Sequence, residues 1–434
     1  MKLISPKPLL SNLFTAIRNG DIFANSSLDL PLARTKTLDP RITFTRASTG
    51  TYVGSDGLIK SATTNEPRFD HNPTTGESLG LLVEEARTNL LTYSELFNAS
   101  PWAPGSLSVA STTETTSPAG NNTAVRFIEN TVATQFHFIN YAITKTASAI
   151  QYTVSTYAKD GGRELIFSAA NGATGAVARF NLATGAITAP ATGYGGGFTA
   201  QGSTITSAGN GWYRCSMTFT TDATTGITIQ YALYNTALAT NVYTGDGASG
   251  IYIWGAQLEA GAFATSYIPT TTATVTRAAD VASITGSNFS SFYNQTEGTV
   301  FIDVNSAPIA TVIQTAYDIN DGTTNERIFT RRLAAGTIGT AITDNNTVQA
   351  NIGGFAIAAS ARYRSSFAYK LNDFSGSVNG ATNDTASSGT LPTVTAMNIG
   401  ATQAGASQTN GTIRRLTYWP TRLANTTLQQ ITQP

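Results

Sequence analysis

The chain has 434 residues and no formal net charge, and only 12% of its residues are Asp, Glu, Lys or Arg, about half the share in an ordinary soluble domain. That balance excludes a nucleic-acid binder that works by neutralising phosphates, no run of 18 apolar residues is present to span a membrane as a helix, and 41% hydrophobic residues is too many for a disordered chain. Thr, Gly, Asn and Ser dominate what remains, a composition of strands and tight turns, and one cysteine, Cys215, permits neither an intrachain disulfide nor a cysteine-based zinc site.

A chain this long exceeds a single core and predicts two or more domains. In chain order, Leu10, Leu13, Phe14 and Ile17 come first, at helical spacing, with Arg18 in the last turn and Gly20 behind it. A helix this short either packs on its own chain or docks into a larger assembly. Pro6 and Pro8 interrupt the stretch before it, so no signal-peptide apolar region forms, and synthesis in a cytoplasm without secretion is expected. Residues 1–37 are taken as this N-terminal segment. Residues 38–95 read as a connector punctuated by Asp39-Pro40, Ser55-Asp56-Gly57, Asn72-Pro73 and Thr75-Gly76. Short strands fill residues 96–284, at 152–158, 212–220, 228–233 and 251–258 among others, several alternating with period two between Gly, Asn and Asp clusters. Strands resume in 285–434, at 299–304, 367–370, 374–378 and 412–418. Asn372-Asp373 and Asn379-Gly380 are hairpin cues there, and Asn425 is a plausible N-cap for a closing helical turn with Leu428 and Ile431. The expected fold class is all-β: an N-terminal segment with a short helix, then two antiparallel β-sandwich (jelly-roll) domains.

Several constellations compete for the chemistry. Residues Gly245 to Gly250 match G-x-G-x-x-G, but a strand-like run follows where a dinucleotide site needs a helix, so a plain inter-strand loop is expected. His71 sits in a turn and His137 in a strand, which supports neither a Ser-His-Asp triad nor a histidine metal site. A glycosidase needs two carboxylates flanking a cleft. Glu84 and Glu85 are adjacent and point to opposite sides of an extended segment, and Glu129, Glu164, Glu259, Glu297 and Glu326 are scattered singly. Aromatic rings within Asn/Thr/Gly loops are the better signal, because sugar C–H faces stack on flat rings while amides and hydroxyls read the OH groups. Trp102, Tyr194 and Tyr243 lie in such contexts and are the candidate ligand-binding residues. Trp254 and Trp419 sit in strong strand runs and are assigned to cores, as is Cys215.

Residues 44–97 carry a more specific text: Phe44-Thr45-Arg46-Ala47-Ser48-Thr49-Gly50-Thr51-Tyr52-Val53, then Asn65-Glu66-Pro67-Arg68-Phe69-Asp70, then Gly80-Leu81-Leu82-Val83-Glu84-Glu85-Ala86-Arg87-Thr88-Asn89-Leu90-Leu91. Further on come Trp254-Gly255-Ala256-Gln257-Leu258-Glu259 and Thr276-Arg277-Ala278-Ala279-Asp280. Together they resemble a module of tailed-bacteriophage and prophage virion proteins, in which the first text precedes a carbohydrate-binding-like jelly roll. The segments Ser377-Val378-Asn379-Gly380 and Ile413-Arg414-Arg415-Leu416-Thr417-Tyr418-Trp419 are similar to a laminin-G or concanavalin-A-like sandwich. The resemblance implies a non-enzymatic virion appendage, a tail fibre or similar, assembled as a homotrimer and located in the virion. Its N-terminal segment (Leu10, Leu13, Phe14, Ile17) would meet other virion proteins, and its sandwiches would meet host-surface glycans, without nucleic acid or membrane insertion. A capsid decoration or head fibre without receptor role and a glycan-degrading virion enzyme are the alternatives. No cofactor is implied. Some lectin-like relatives bind calcium, but Asp303, Asp318, Asp321 and Asp344 are separate in sequence and no ligand set is assigned.

Overall fold

The computed structural model describes residues 22–306, 313–358 and 362–434, and Leu10, Leu13, Phe14 and Ile17 lie outside them. The described chain is all-β, with several antiparallel sheets and three short helices. None of these helices is long and apolar enough to cross a membrane. The chain divides into two compact units, each discontinuous: unit 1 takes the N-terminal part to Thr45 together with 79–85 and 280–434, and unit 2 takes 46–78 and 86–279. Residues 38–95, expected as a connector, are thus shared out between both units.

Unit 2 contains two six-stranded antiparallel sheets. One orders the strands Thr199–Ser207, Trp212–Thr220, Gln151–Gly161, Gly250–Ala260, Val125–Glu129 and Leu107–Ser111; the other orders Ala186–Tyr194, Thr174–Asn181, Glu164–Asn171, Gly226–Tyr234, Phe138–Thr144 and Ala103–Gly105. Period-two alternation makes the core. In Gly226–Tyr234, Ile227, Ile229, Tyr231 and Leu233 are buried against Phe127, Val154, Phe167 and Phe219, while Thr228, Gln230 and Tyr234 are half-exposed on the other face. Cys215 belongs to this core, and burial pushes its thiol pKa far up. The outer side of the first sheet carries a second apolar cluster of Tyr157, Trp212, Trp254 and Tyr267.

The texts that carry the family resemblance are divided between the two units, and three of their arginines are buried in unit 2. Arg46, Arg68 and Arg277 are each at most 1% exposed. Arg46 donates to the Thr63 and Ser48 carbonyls at 2.7 and 3.0 Å, and Arg68 to the Thr51 carbonyl at 2.9 Å and Ser266 Oγ at 2.7 Å. A guanidinium removed from water must have its donors met, so the spacing of these arginines from their carbonyls is dictated by packing.

Unit 1 also has two antiparallel sheets. One runs Asp384–Ala386, Asp373–Val378, Arg362–Lys370, Glu297–Asn305 and Gly411–Trp419, the last of which also pairs with Leu81 to Val83 and with Leu28–Leu30. The other runs Thr43–Thr45, Val281–Thr285, Ala396–Ile399, Gln314–Asn320, Arg327–Arg332, Thr337–Asp344 and Thr347–Ala356. Val300, Ile302, Ile319, Ile342, Met397 and Ile399 are fully buried. Residues 22–37, expected within the N-terminal segment, are built into this unit. Leu28, Leu30 and Leu32 are at most 2% exposed, and Phe23 packs against the Phe301 and Trp419 rings. The closing helix spans Asn425–Thr432 with Ala424 as its N-cap and no side-chain cap bond, so Asn425 is the first helical residue rather than the cap. Leu428 and Ile431 are its buried anchors, as expected.

Candidate functional site: an open sheet face

The sequence-predicted rings separate cleanly. Trp102 is 5% exposed, inside the unit 2 core between Phe97, Tyr141 and Tyr231, with its indole N–H on the Tyr93 carbonyl at 3.2 Å. It offers no face to a ligand, because its proline-bounded loop folds inward as a wedge. Tyr243 is 4% exposed. Its hydroxyl donates to Glu129 Oε2 at 2.7 Å, and burial followed by the Glu129 charge raises its pKa. Glu129 also takes two bonds from Arg163, at 2.8 and 2.6 Å, and the Asp246 N–H at 2.9 Å. Tyr243 is therefore a member of a closed polar clamp. The Gly245–Gly250 loop belongs to the same clamp. Asp246 accepts from the Ala248 and Ser249 amides and from Ser249 Oγ, which holds its carboxyl well below the usual range. A strand follows at Gly250, as expected for a loop rather than a phosphate cradle.

Tyr194 stays at the surface, 39% exposed, and it marks the edge of a site that the sequence did not assemble. The outer face of the Ala186–Ala103 sheet of unit 2 is a grid set by register. Asn140 lies opposite Gln230, Gln230 opposite Ser168, Ser168 opposite Val177 and Val177 opposite Thr192. The next row is Ala142, Thr228, Ala170, Gly175 and Tyr194. On the other side Phe138 lies opposite Ala232, Ala232 opposite Ile166 and Ile166 opposite Arg179. Residues two apart share a face, so small side chains make a shallow floor. Rings stand around it. Phe138 lies over Gly105, where a Cβ would come within 2.4 Å of the ring, and Tyr194 lies over Gly175. Tyr234 carries the Arg179 guanidinium 3.8 Å above its ring centroid.

The floor has polar capacity to spare. Gln230 Nε2 donates to Asn140 Oδ1 at 2.9 Å. That leaves the Asn140 amide N–H groups, the Gln230 carbonyl oxygen and the Ser168 and Thr228 hydroxyls directed to the open face, and together they offer both donors and acceptors. Charge is confined to the rim, where Arg179 pairs with Glu164 at 3.0 Å and Glu164 also accepts from Asn181 and Thr188. A face of this kind, with a few placed polar groups among apolar surface and rings at the edge, suits an uncharged polyhydroxylated ligand. Three of the carboxylates weighed for acid–base catalysis are otherwise engaged: Glu129 in the clamp, Glu164 in the rim pair, and Glu259, wholly buried, by Thr265 and Gln257. Among the described residues no three His, Cys, Asp or Glu side chains converge as metal ligands.

No protein-family model and no curated protein matches the chain. Among solved structures it is similar to Ruminococcus gnavus IT-sialidase CBM40, at 15% identity over 34% of this chain and 88% of that one, with a TM-score of 0.30. It is also similar to the SAP-like pentraxin of Limulus polyphemus, at 14% identity over 31% and 69%, TM-score 0.24. A third likeness is to domains LG4-5 of the mouse laminin alpha1 chain, at 10% identity over 67% and 85%, TM-score 0.22. These likenesses are too faint to bear on function.

Proposed function

We propose that this chain is a non-enzymatic structural protein of a tailed-phage particle, a tail fibre or similar appendage, that binds host-surface glycans through the open sheet face of unit 2. The face carries the binding half of this reading: uncommitted amides and hydroxyls on a floor of small side chains, with Phe138, Tyr194 and Tyr234 at its rim. The virion half is supported by the residue texts at 44–91 and 254–280 that resemble phage appendage proteins. A homotrimer would multiply weak sites into useful avidity, and sedimentation of the full chain is expected to give three copies.

The decisive test is a panel of neutral glycans against the full chain and its variants. Asn140→Ala and Gln230→Ala each remove about one net hydrogen bond, about 1 kcal/mol, so roughly fivefold weaker binding at unchanged melting temperature is expected for each, and Tyr194→Ala should weaken binding similarly. Binding that survives all three substitutions would place the ligand elsewhere. Release of sugar from any panel member would replace the reading with an enzymatic one, and absence of the protein from purified particles would remove the virion role.

A further inference from the structure

In unit 1 a cleft of about 280 Å³ opens on the outer side of the sheet that contains Glu297–Asn305. Of the residues that line it, five are arginines, Arg34, Arg362, Arg364, Arg414 and Arg415, against one carboxylate, Asp303. On its apolar side Ile22 and Phe23, both half-buried, pack against the buried Phe301 and Ile431. In a chain where Lys and Arg number 26 in all and the net charge is zero, arginines outnumber carboxylates here even though Arg362 and Arg364 meet Asp303, at 2.6 and 3.5 Å, and Arg415 meets Asp29 at 2.6 Å.

The arginines are placed by register. Asp303 lies opposite Arg364 on one neighbouring strand and opposite Arg415 on the other. Consecutive strand residues normally face opposite sides, which would send Arg414 away from the cleft. The ladder shifts between Asp303 and Val304, however: Asp303 meets Arg415 while Val304 meets Ile413. Arg414 is the extra residue of a β-bulge, a device that re-aims a side chain, and both Arg414 and Arg415 line the cleft. Two of the guanidiniums are ordered in advance. Arg362 is held by both oxygens of Asp303, at 2.8 and 2.6 Å, and Arg415 by both oxygens of Asp29, at 2.8 and 2.6 Å, with its guanidinium 3.3 Å from the Phe23 ring centroid.

We infer that this cleft is a second binding site, for a carboxylate-bearing sugar. Guanidinium forks match carboxylates, and the half-buried Ile22 and Phe23 side chains offer an apolar edge for the C–H face of a pyranose ring. The volume lies at the lower end for small-ligand sites, which suits one sugar rather than a chain. The inference goes beyond the neutral-glycan reading and stands or falls apart from the open face of unit 2.

Calorimetric titration of the full chain tests it, with glucuronate and N-acetylneuraminate as the two sources of the carboxylate, and glucuronate methyl ester, glucose and inorganic phosphate as comparisons. The cleft predicts that at least one acidic sugar binds, at least tenfold more tightly than the methyl ester or glucose, and that the tighter acid identifies the source. It predicts a further tenfold loss in the Arg34→Gln/Arg414→Gln double variant and no change in Gln230→Ala. Arg34 is exposed, so Arg34→Gln alone keeps the fold and should give part of the loss. Equal binding of acid and methyl ester, binding unchanged in the double variant, phosphate binding as tight as that of the acidic sugars, or no acidic sugar bound at millimolar concentration would each overturn the inference.

Discussion

Trp102 sits among Asn98, Ser100, Pro101, Pro104 and Gly105, a neighbourhood equally fit for an exposed stacking ring and for a wedge driven inward, and local composition does not distinguish the two. What decides is the ring on the far side, Tyr231, 5.7 Å away and 129 positions along the chain. Trp102→Ala is therefore expected to cost about 3–5 kcal/mol of stability, the ordinary range for a large core aromatic, with urea denaturation as the measurement. Asp318 carries a different consequence. It is fully buried on Gln314–Asn320, its Oδ2 accepts the Gln403 N–H at 3.2 Å, and its Oδ1 has no hydrogen-bond partner. Burial pushes its pKa up to about 6. The folded state then binds a proton that the unfolded state has already released, so stability falls as pH rises from about 4 through about 6. The ceiling on this loss is roughly 3 kcal/mol. Asp318→Asn should flatten that part of the stability–pH curve, and an unchanged slope in the variant would assign it to another group.

At the level of strands and turns, Gly250 shows why a motif needs its context. It is the last glycine of the Gly245–Gly250 text, and a Cβ there would stand 1.7 Å from the Phe127 carbonyl oxygen on the paired strand. The glycine is required by close backbone approach, so Gly250→Ala should lower the melting temperature sharply. Gly226→Ala, where a Cβ meets nothing within 4 Å, should leave it nearly unchanged. The all-β class and the central strands of unit 2 were legible because alternation at 125–129 and 226–234 reports a one-sided core, whereas in unit 1 Val281–Thr285, Gln314–Asn320, Thr337–Asp344 and Thr347–Ala356 were not read. Asn379-Gly380 was legible too: both residues have positive φ, and the Ala381 N–H returns to Val378 at 2.9 Å. The strands Ala186–Tyr194 and Thr199–Ser207 escaped, since their side chains are small and mostly exposed and no apolar period marks them. The turn at Asn345-Asn346, with positive φ at both residues, escaped because an Asn-Asn pair lacks the glycine that marks the stronger hairpin cue. The open face of unit 2 was beyond reach for a related reason: Asn140, Gln230 and Ser168 are ordinary polar residues until register sets them in one row.

For the whole molecule, zero net charge and a floor without ions predict that neutral-glycan binding changes less than about twofold between low and high salt, because screening acts on charges. Binding of an acidic sugar in the arginine cleft should weaken steeply over the same range, so one salt titration separates the two sites. The discontinuity of the units has its own consequence. Leu28–Leu30 finds its partner in residues 416–418, almost the whole chain later. On a ribosome adding about 5–20 residues each second, this strand waits some tens of seconds for its neighbour, with two leucines and an open hydrogen-bonding edge unpaired. The paired strands of unit 2 that lie between 103 and 260 have all been synthesised well before then. Production of this protein is thus a matter of timing. Anything that stalls or truncates translation late leaves Leu28–Leu30 unmatched, a ready edge for another copy to pair with.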